Sequence, residues 1–442
     1  MTKLKKSLGL FDGIALLVGI TIGAGIFKTP QVIANYINSF SIIIILWLSV
    51  AVFVYVGALI YAELGSRFPQ TGGEYVYMQK AFGPFFGFLF GWAQLFIIRT
   101  SPTAALSLLS ADYLGYFFPL DQLQKIIIAS LIIIVFGFIN ILGVNKGSAY
   151  NKFSSSVKIT GLMFFCLIGL ISTNGDFSKL SASVPPTATL GPIGNIIAAT
   201  MMIVFSFLGW DRVGYVAGEM RNPKKVISQS MFYGMLIVTI LYIGSNVLYH
   251  SVIGLEGMRS SSIVASDTAI SLFGEIGASL ISIMVIISAT GSVNGTMMAT
   301  TRVYYAMAKD GLIFKWFDYI HPKFQTPTHS IIAHCSWSIV LILIRQNFET
   351  LVAGMVFAIL IFYGFTTVAF FKFRKENIGN RDGYKLPYFP VLPSLYLLGI
   401  IVLVLLRAFY EPWESSLDLL FVLSGIPVYF IFFKNKIYNK QK

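Results

Sequence analysis

The chain predicts an all-α membrane protein with twelve transmembrane helices, and three observations carry that prediction. Of its 442 residues, 56% are hydrophobic and only 12% are charged, whereas a soluble domain carries about a quarter charged residues. Apolar runs of about 20 residues, the length that crosses a bilayer as a helix, recur from one end of the chain to the other. The longest polar interval between runs, residues 174–194, leaves five runs on either side of it and two more at the end. The expected organisation is therefore a first unit over 1–175 (spans 1–5), a second over 176–375 (spans 6–10) and two terminal spans within 376–442.

In order, the runs lie near 10–37, 40–66, 82–111, 123–143, 152–173, 194–219, 226–252, 266–308, 329–345, 350–373, 388–407 and 417–434. The first is too long for the core of a cleaved signal peptide, about 7–15 residues, and no small-residue cleavage site follows it. The eighth exceeds one span, so its ends are expected to project or bend. Lysine and arginine orient the set, because cytoplasmic loops collect them. With the N-terminus inside, the inner segments hold 23 of the 32 basic residues. The outer loops hold Lys125, Lys179, Arg259, Arg345 and Arg407. Both termini are expected in the cytoplasm of a plasma-membrane protein. The net charge of +13 then reflects this bias and attraction to anionic lipid, and implies no nucleic-acid partner. The two cysteines, Cys166 and Cys335, and the four histidines, His250, His321, His329 and His334, form no metal or disulfide spacing, so no cofactor is expected.

An odd number of spans per unit inverts the second unit relative to the first, the arrangement of secondary transporters in which the first span of each unit is interrupted. The chain meets that condition. The first run contains Thr21-Ile22-Gly23-Ala24-Gly25-Ile26-Phe27, and the sixth contains Phe205-Ser206-Phe207-Leu208-Gly209-Trp210-Asp211-Arg212. Close helix packing at Gly23 is the competing account of the first stretch, and the matching interruption in the sixth favours a break. Amides freed near Ala24 and Gly25 carry partial positive charge and suit a carboxylate. Carbonyls near Thr21, Phe205 and Leu208 suit an ammonium. Such a pair of breaks fits an α-amino acid without any charged side chain.

Four stretches in this order, VGITIGAGIFKTP (18–30), WAQLFIIRTSPTAA (92–105), GWDRVGYVAGEMRNPKK (209–225) and SATGSVNGTMMATTRVYYAMAKDGL (288–312), resemble the amino acid–polyamine–organocation (APC) superfamily, and within it the L-type amino acid transporter branch. The resemblance covers nearly the whole chain. It implies the five-plus-five inverted-repeat (LeuT-like) fold and sodium-independent amino acid transport, usually by exchange. It also implies that the Ala24 and Gly25 amides hold the substrate carboxylate, that the Thr21, Phe205 and Leu208 carbonyls hold the amino group, and that Phe205 closes over the substrate from outside. The chain departs from that pattern in three places. Ala24 stands where the branch often has Ser, and Leu208 where relatives with larger substrates tend to have Gly, which favours a small neutral substrate. The loop after Pro119 has no cysteine where animal members link to an accessory glycoprotein, so no such partner is expected.

Intramembrane charges are candidates for function. Lys158 follows Lys152 by about one and a half turns, so a lysine snorkelling to the cytoplasmic surface and a functional ammonium both fit the residues. The resemblance implies the second: Lys158 would take the place of the sodium ion of coupled relatives and bridge the Gly19 carbonyl and the Ser292 hydroxyl. Asp211 and Arg212 sit at the sixth-span break. A local ion-pair network with Glu219 or Arg99 is one reading, and a proton-carrying Asp211 is the other, since desolvation favours the protonated carboxyl. Lys28 is expected to reach the outer vestibule, and Glu63 and Glu74 to serve a cytoplasmic gate or interface. Tyr113, Tyr116 and Trp413 are expected at the membrane interface.

A membrane enzyme would need a clustered nucleophile, base or metal set, and no HExxH, GxSxG or Asp-rich motif is present. A channel would need repeated pore-lining rings. A sensor that binds an amino acid without moving it shares every feature above. Among transporters, proton-coupled amino acid symport and cationic amino acid or polyamine antiport are the alternatives. The small and hydroxyl residues of the eighth span favour neutral substrates over cations.

Overall fold

The first apolar run does not form one helix. In the computed structural model, which describes residues 9–68, 73–172, 177–181, 183–211, 220 and 223–433, α1 spans Leu10–Thr21 and stops there. Ile22 (φ −66°, ψ 99°) and Gly23 (φ −118°, ψ −174°) are extended. A 3₁₀ turn follows over Ala24–Phe27, and then α2 over Thr29–Tyr36, whose Pro30 falls where a missing amide costs nothing.

The other elements follow the apolar runs closely. They are α3 (Phe40–Arg67), α4 (Glu74–Phe82), α5 (Pro84–Ala93), a π turn over Gln94–Ile98, α6 (Thr100–Leu114), α7 (Gln122–Ile141) and α8 (Val144–Ser172). After the long polar stretch come α9 (Gly191–Phe207), α10 (Pro223–Ser260), α11 (Val264–Asp310), α12 (Thr328–Arg345), α13 (Phe348–Lys375), α14 (Val391–Tyr410) and α15 (Pro412–Leu423), which short turns extend to Phe433. The start of α7 is a reciprocal cap: the Gln124 amide donates to Asp121 Oδ1 (2.8 Å) and the Asp121 amide to Gln124 Oε1 (2.9 Å), which satisfies two amides that the helix cannot.

Among the described residues, nine helical stretches are long and apolar enough to cross a membrane, and α1 and α9 are shorter apolar helices. The expected third span, 82–111, is divided by the π turn. The first and sixth are cut at Thr21 and Phe207. The long eighth run bends as expected, at Gly274 in α11 (φ 68°), a conformation that only glycine adopts without strain. Tyr113 is not an interface anchor: it is fully buried, and its hydroxyl donates to the Phe27 carbonyl at 3.0 Å. Trp413 is largely exposed.

The helices bury an aromatic core around Trp47, whose ring meets Phe207 at 5.6 Å and Tyr242 at 5.4 Å. Outward faces carry Ile45 and Val52 on α3, Leu131 on α7, Leu280 on α11 and Leu405 on α14, all exposed. Apolar surface on this scale is stable only against lipid. Two close approaches matter for the site. On α11, a Cβ at Gly291 would overlap the Ser154 hydroxyl of α8, and one at Gly295 would lie 3.2 Å from Asn151. On α10, a Cβ at Gly234 would lie 2.9 Å from Leu17 of α1. Small residues thus draw α8 onto α11 and α10 onto α1.

Candidate functional site

The two helix ends at Thr21 and Phe207 meet. Beyond α9, Leu208 is extended (φ −63°, ψ 144°), and Gly209 has φ +123°. A Cβ on Gly209 would lie 2.7 Å from Ile20 Cγ2 and 3.2 Å from the Ile20 carbonyl carbon. Glycine is therefore required twice there, once by the backbone angle and once by the approach of the two chains.

One hydroxyl ties the two interruptions together. Tyr242, in mid-α10 and fully buried, lies with its Oη 2.9 Å from both the Thr21 and the Ser206 carbonyls. The Thr21 carbonyl, expected to be free, is thus already bonded, and the Phe205 carbonyl accepts the Leu208 amide at 3.0 Å. Each carbonyl keeps a second lone pair for a further donor. Sequence reasoning missed Tyr242. Its one signal is position, since a tyrosine in the middle of an apolar run lies far from the interface where such residues collect.

Around this junction lies a cavity of about 410 Å³, large enough for a small metabolite. Its wall includes Gly19, Thr21 and Gly25 from the first interruption and Phe205 and Leu208 from the second. Lys158 and Ser292 line the same cavity from α8 and α11, and Arg99 lines it from the end of the π turn. A Cβ at Gly25 would lie 3.1 Å from Phe205 Cε1 and 3.2 Å from Ser206 Oγ, so its bareness lets the ring close down. Ala24 begins the 3₁₀ turn, and the first amides of a helix have no partner within it.

Lys158 is only 5% exposed, which excludes a side chain lying free in solvent. The Ser292 hydroxyl donates to the Ser288 carbonyl at 3.0 Å and keeps its lone pairs. Asp211 is buried and pairs with Arg99 at 3.5 Å; Arg99 Nε also donates to Gln94 Oε1 at 2.8 Å. Of the partners expected for Asp211, Arg99 is found, whereas Glu219 and its neighbour Arg212 lie outside the described residues, as does most of the motif 209–225.

Glu63 and Glu74 are both fully buried and stand away from the cavity. Glu63 accepts from Arg67, Arg374 and the Leu386 amide, and Glu74 from the Tyr61 hydroxyl. On the opposite side of the cavity, Phe205 packs edge-to-face on Phe348, the first residue of α13, with centroids 5.7 Å apart. Phe348 also escaped the sequence reading.

A bundle of long apolar helices around two facing chain interruptions, with a cavity at their junction, is the architecture of a small-molecule transporter. Comparison with known proteins agrees. The amino acid permease family model matches residues 8–433. The serine/threonine exchanger SteT of Bacillus subtilis is 30% identical over 98% of both chains. The mouse b(0,+)-type amino acid transporter 1 is 29% identical over 98% of this chain and 88% of its own. The human cystine/glutamate transporter is 27% identical over 97% of this chain and 86% of its own. The chain belongs to the amino acid permease family of membrane transporters.

Proposed function

We propose that this protein is a sodium-independent exchanger of small neutral α-amino acids in the plasma membrane, with both termini cytoplasmic. The observation that carries the proposal is the contact of Gly209 with Ile20 beside a cavity that both interruptions line. In this reading the chain crosses the membrane twelve times. Residues 1–175 and 176–375 form inverted five-span repeats whose first spans are the broken ones, and 376–442 add two spans. The substrate carboxylate meets the Ala24 and Gly25 amides. Its ammonium meets the second lone pairs of the Thr21 and Phe205 carbonyls and the Leu208 carbonyl, and Phe205 covers it on the outer side. The relative SteT, a serine/threonine exchanger, supports exchange.

Sodium independence rests on Lys158, which lines the same cavity as Gly19 and Ser292 and in this reading bridges them with its positive charge. A resident ammonium supplies the charge that a coupling cation would bring, so no ion need enter. No covalently linked accessory chain is part of this reading. Proton coupling is a second reading, favoured by the burial of Asp211 at the break.

Uptake of radiolabelled L-serine into proteoliposomes tests the proposal. Uptake should require preloaded amino acid and be indifferent to sodium and to a pH gradient. Uptake into empty vesicles driven by an inward proton gradient would favour the second reading. Binding without any uptake would mark a sensor.

A further inference from the structure

On the far side of the Phe205–Phe348 pair lies a second cavity, of about 160 Å³. Phe205 lines the first cavity and Phe348 the second, so one aromatic contact divides them. The second volume equals about five water molecules at about 30 Å³ each and suits a small amino acid.

Its charged groups come from four elements. Lys28 follows the 3₁₀ turn, Asp112 lies on α6, Lys125 in the first turn of α7 and Glu349 in the first turn of α13. Both lysines lean on one carboxylate: Lys125 Nζ is 2.9 Å from Asp112 Oδ1, and Lys28 Nζ is 3.6 Å from Asp112 Oδ2. Lys28 also donates to the Ser262 carbonyl at 3.2 Å. Glu349 faces the Tyr36 hydroxyl, with Lys28 as its nearby opposite charge. Two cations and two carboxylates make the set neutral overall and polar from side to side.

From this we infer that the second cavity is an outer subsite that receives a zwitterionic amino acid before it passes the Phe205–Phe348 pair. The α-carboxylate joins Asp112 as a second anion between Lys28 and Lys125, and the α-ammonium turns to Glu349. A zwitterion leaves every charge compensated. A solute of net charge leaves one half-buried ion without a partner, which is costly. The subsite therefore screens for the amino acid backbone, and the inner cavity reads the side chain. Lys28 also links the two, because its amide donates to the Gly25 carbonyl at 3.0 Å. Loading the outer site thus acts on the same turn that holds the inner one.

The inference rests on the transport reading above, and binding stoichiometry separates the two. Equilibrium binding of radiolabelled L-serine to the full chain in nanodiscs should reach two per chain in the wild type and one in Gly25→Val, which closes the inner site. Lys125→Gln and Glu349→Gln should each also bind one, with the outer affinity weakened at least about tenfold by loss of a charged contact. If Gly25→Val does not fold, the fall from two to one in Lys125→Gln answers the question alone. One serine per wild-type chain, unchanged in Lys125→Gln, shows a salt latch only: the inference is overturned, and normal exchange leaves the transport reading standing. A wild type that neither binds nor exchanges serine overturns both.

Discussion

At the scale of single residues, the site depends on where side chains are withheld as much as on where they are present. Gly25 leaves room for the Phe205 ring, and Gly209 for the Ile20 backbone. Leu208 does the reverse: it puts a four-carbon side chain into the wall of the cavity. Overpacking costs about 1–3 kcal/mol, and a methylene of substrate is worth about the same in discrimination. The wild type should therefore prefer alanine, serine or threonine, and Leu208→Gly should gain inhibition by phenylalanine and tryptophan in competition assays. Equal inhibition by alanine and tryptophan in both proteins would refute this. Tyr242→Phe makes a second test. Its loss removes the one hydroxyl proton that the buried Thr21 and Ser206 carbonyls share, at about 1–3 kcal/mol. Melting should occur at lower temperature and exchange should slow, with the ring packing on Trp47 intact. A phenylalanine variant with wild-type exchange would show that the breaks hold themselves.

Elements are positioned by the pairs that small residues permit. Gly291 and Gly295 bring α11 against Ser154 and Asn151 of α8, and the same face of α8 carries Lys158 to the cavity one turn further on. Lys158 is thus presented by the close approach of two helices, and α1 completes its surroundings through Gly19. Lys158→Ala removes a buried charge that the chain holds between three elements. Exchange should fall by at least about tenfold, equivalent to about 1.4 kcal/mol, while the purified protein keeps its helical content by circular dichroism. Wild-type exchange by the alanine variant would leave Lys158 without a role in transport.

Across the whole molecule, α13 is held at both ends by buried ions. Near its start, Gly354 packs against Asp418 of α15, whose carboxylate takes Arg407 at 2.8 Å and Arg345 at 2.5 Å. Near its end, Arg374 grips Glu63 of α3, and the Leu386 amide closes the same carboxylate. Both Asp418 and Arg407 are 1% exposed. Breaking such a pair leaves an uncompensated buried charge, typically about 3–5 kcal/mol. Asp418→Asn should therefore lower the melting temperature in detergent and leave the apparent affinity for serine unchanged, because the triad stands apart from the cavity. Unchanged melting would refute the ionic clamp.

Much of this was legible in the chain because lipid imposes a simple rule: a long apolar run must be helical, and any polar or glycine-rich lapse in it needs a reason. That rule yielded the helical class, the two interruptions and the candidates Thr21, Gly25, Phe205, Leu208 and Lys158, all of which the structure brings to one cavity. It could not show which groups satisfy the interruptions, because those partners come from other helices. Tyr242 and Tyr113 look like any aromatic in an apolar run until folding points their hydroxyls at the broken backbone. Nor could it show that Lys28, Asp112, Lys125 and Glu349, spread over more than three hundred residues, face one another. The local pattern of hydropathy determines where helices begin and fail. Which side chain answers each failure depends on contacts between distant segments, and only tertiary packing decides those.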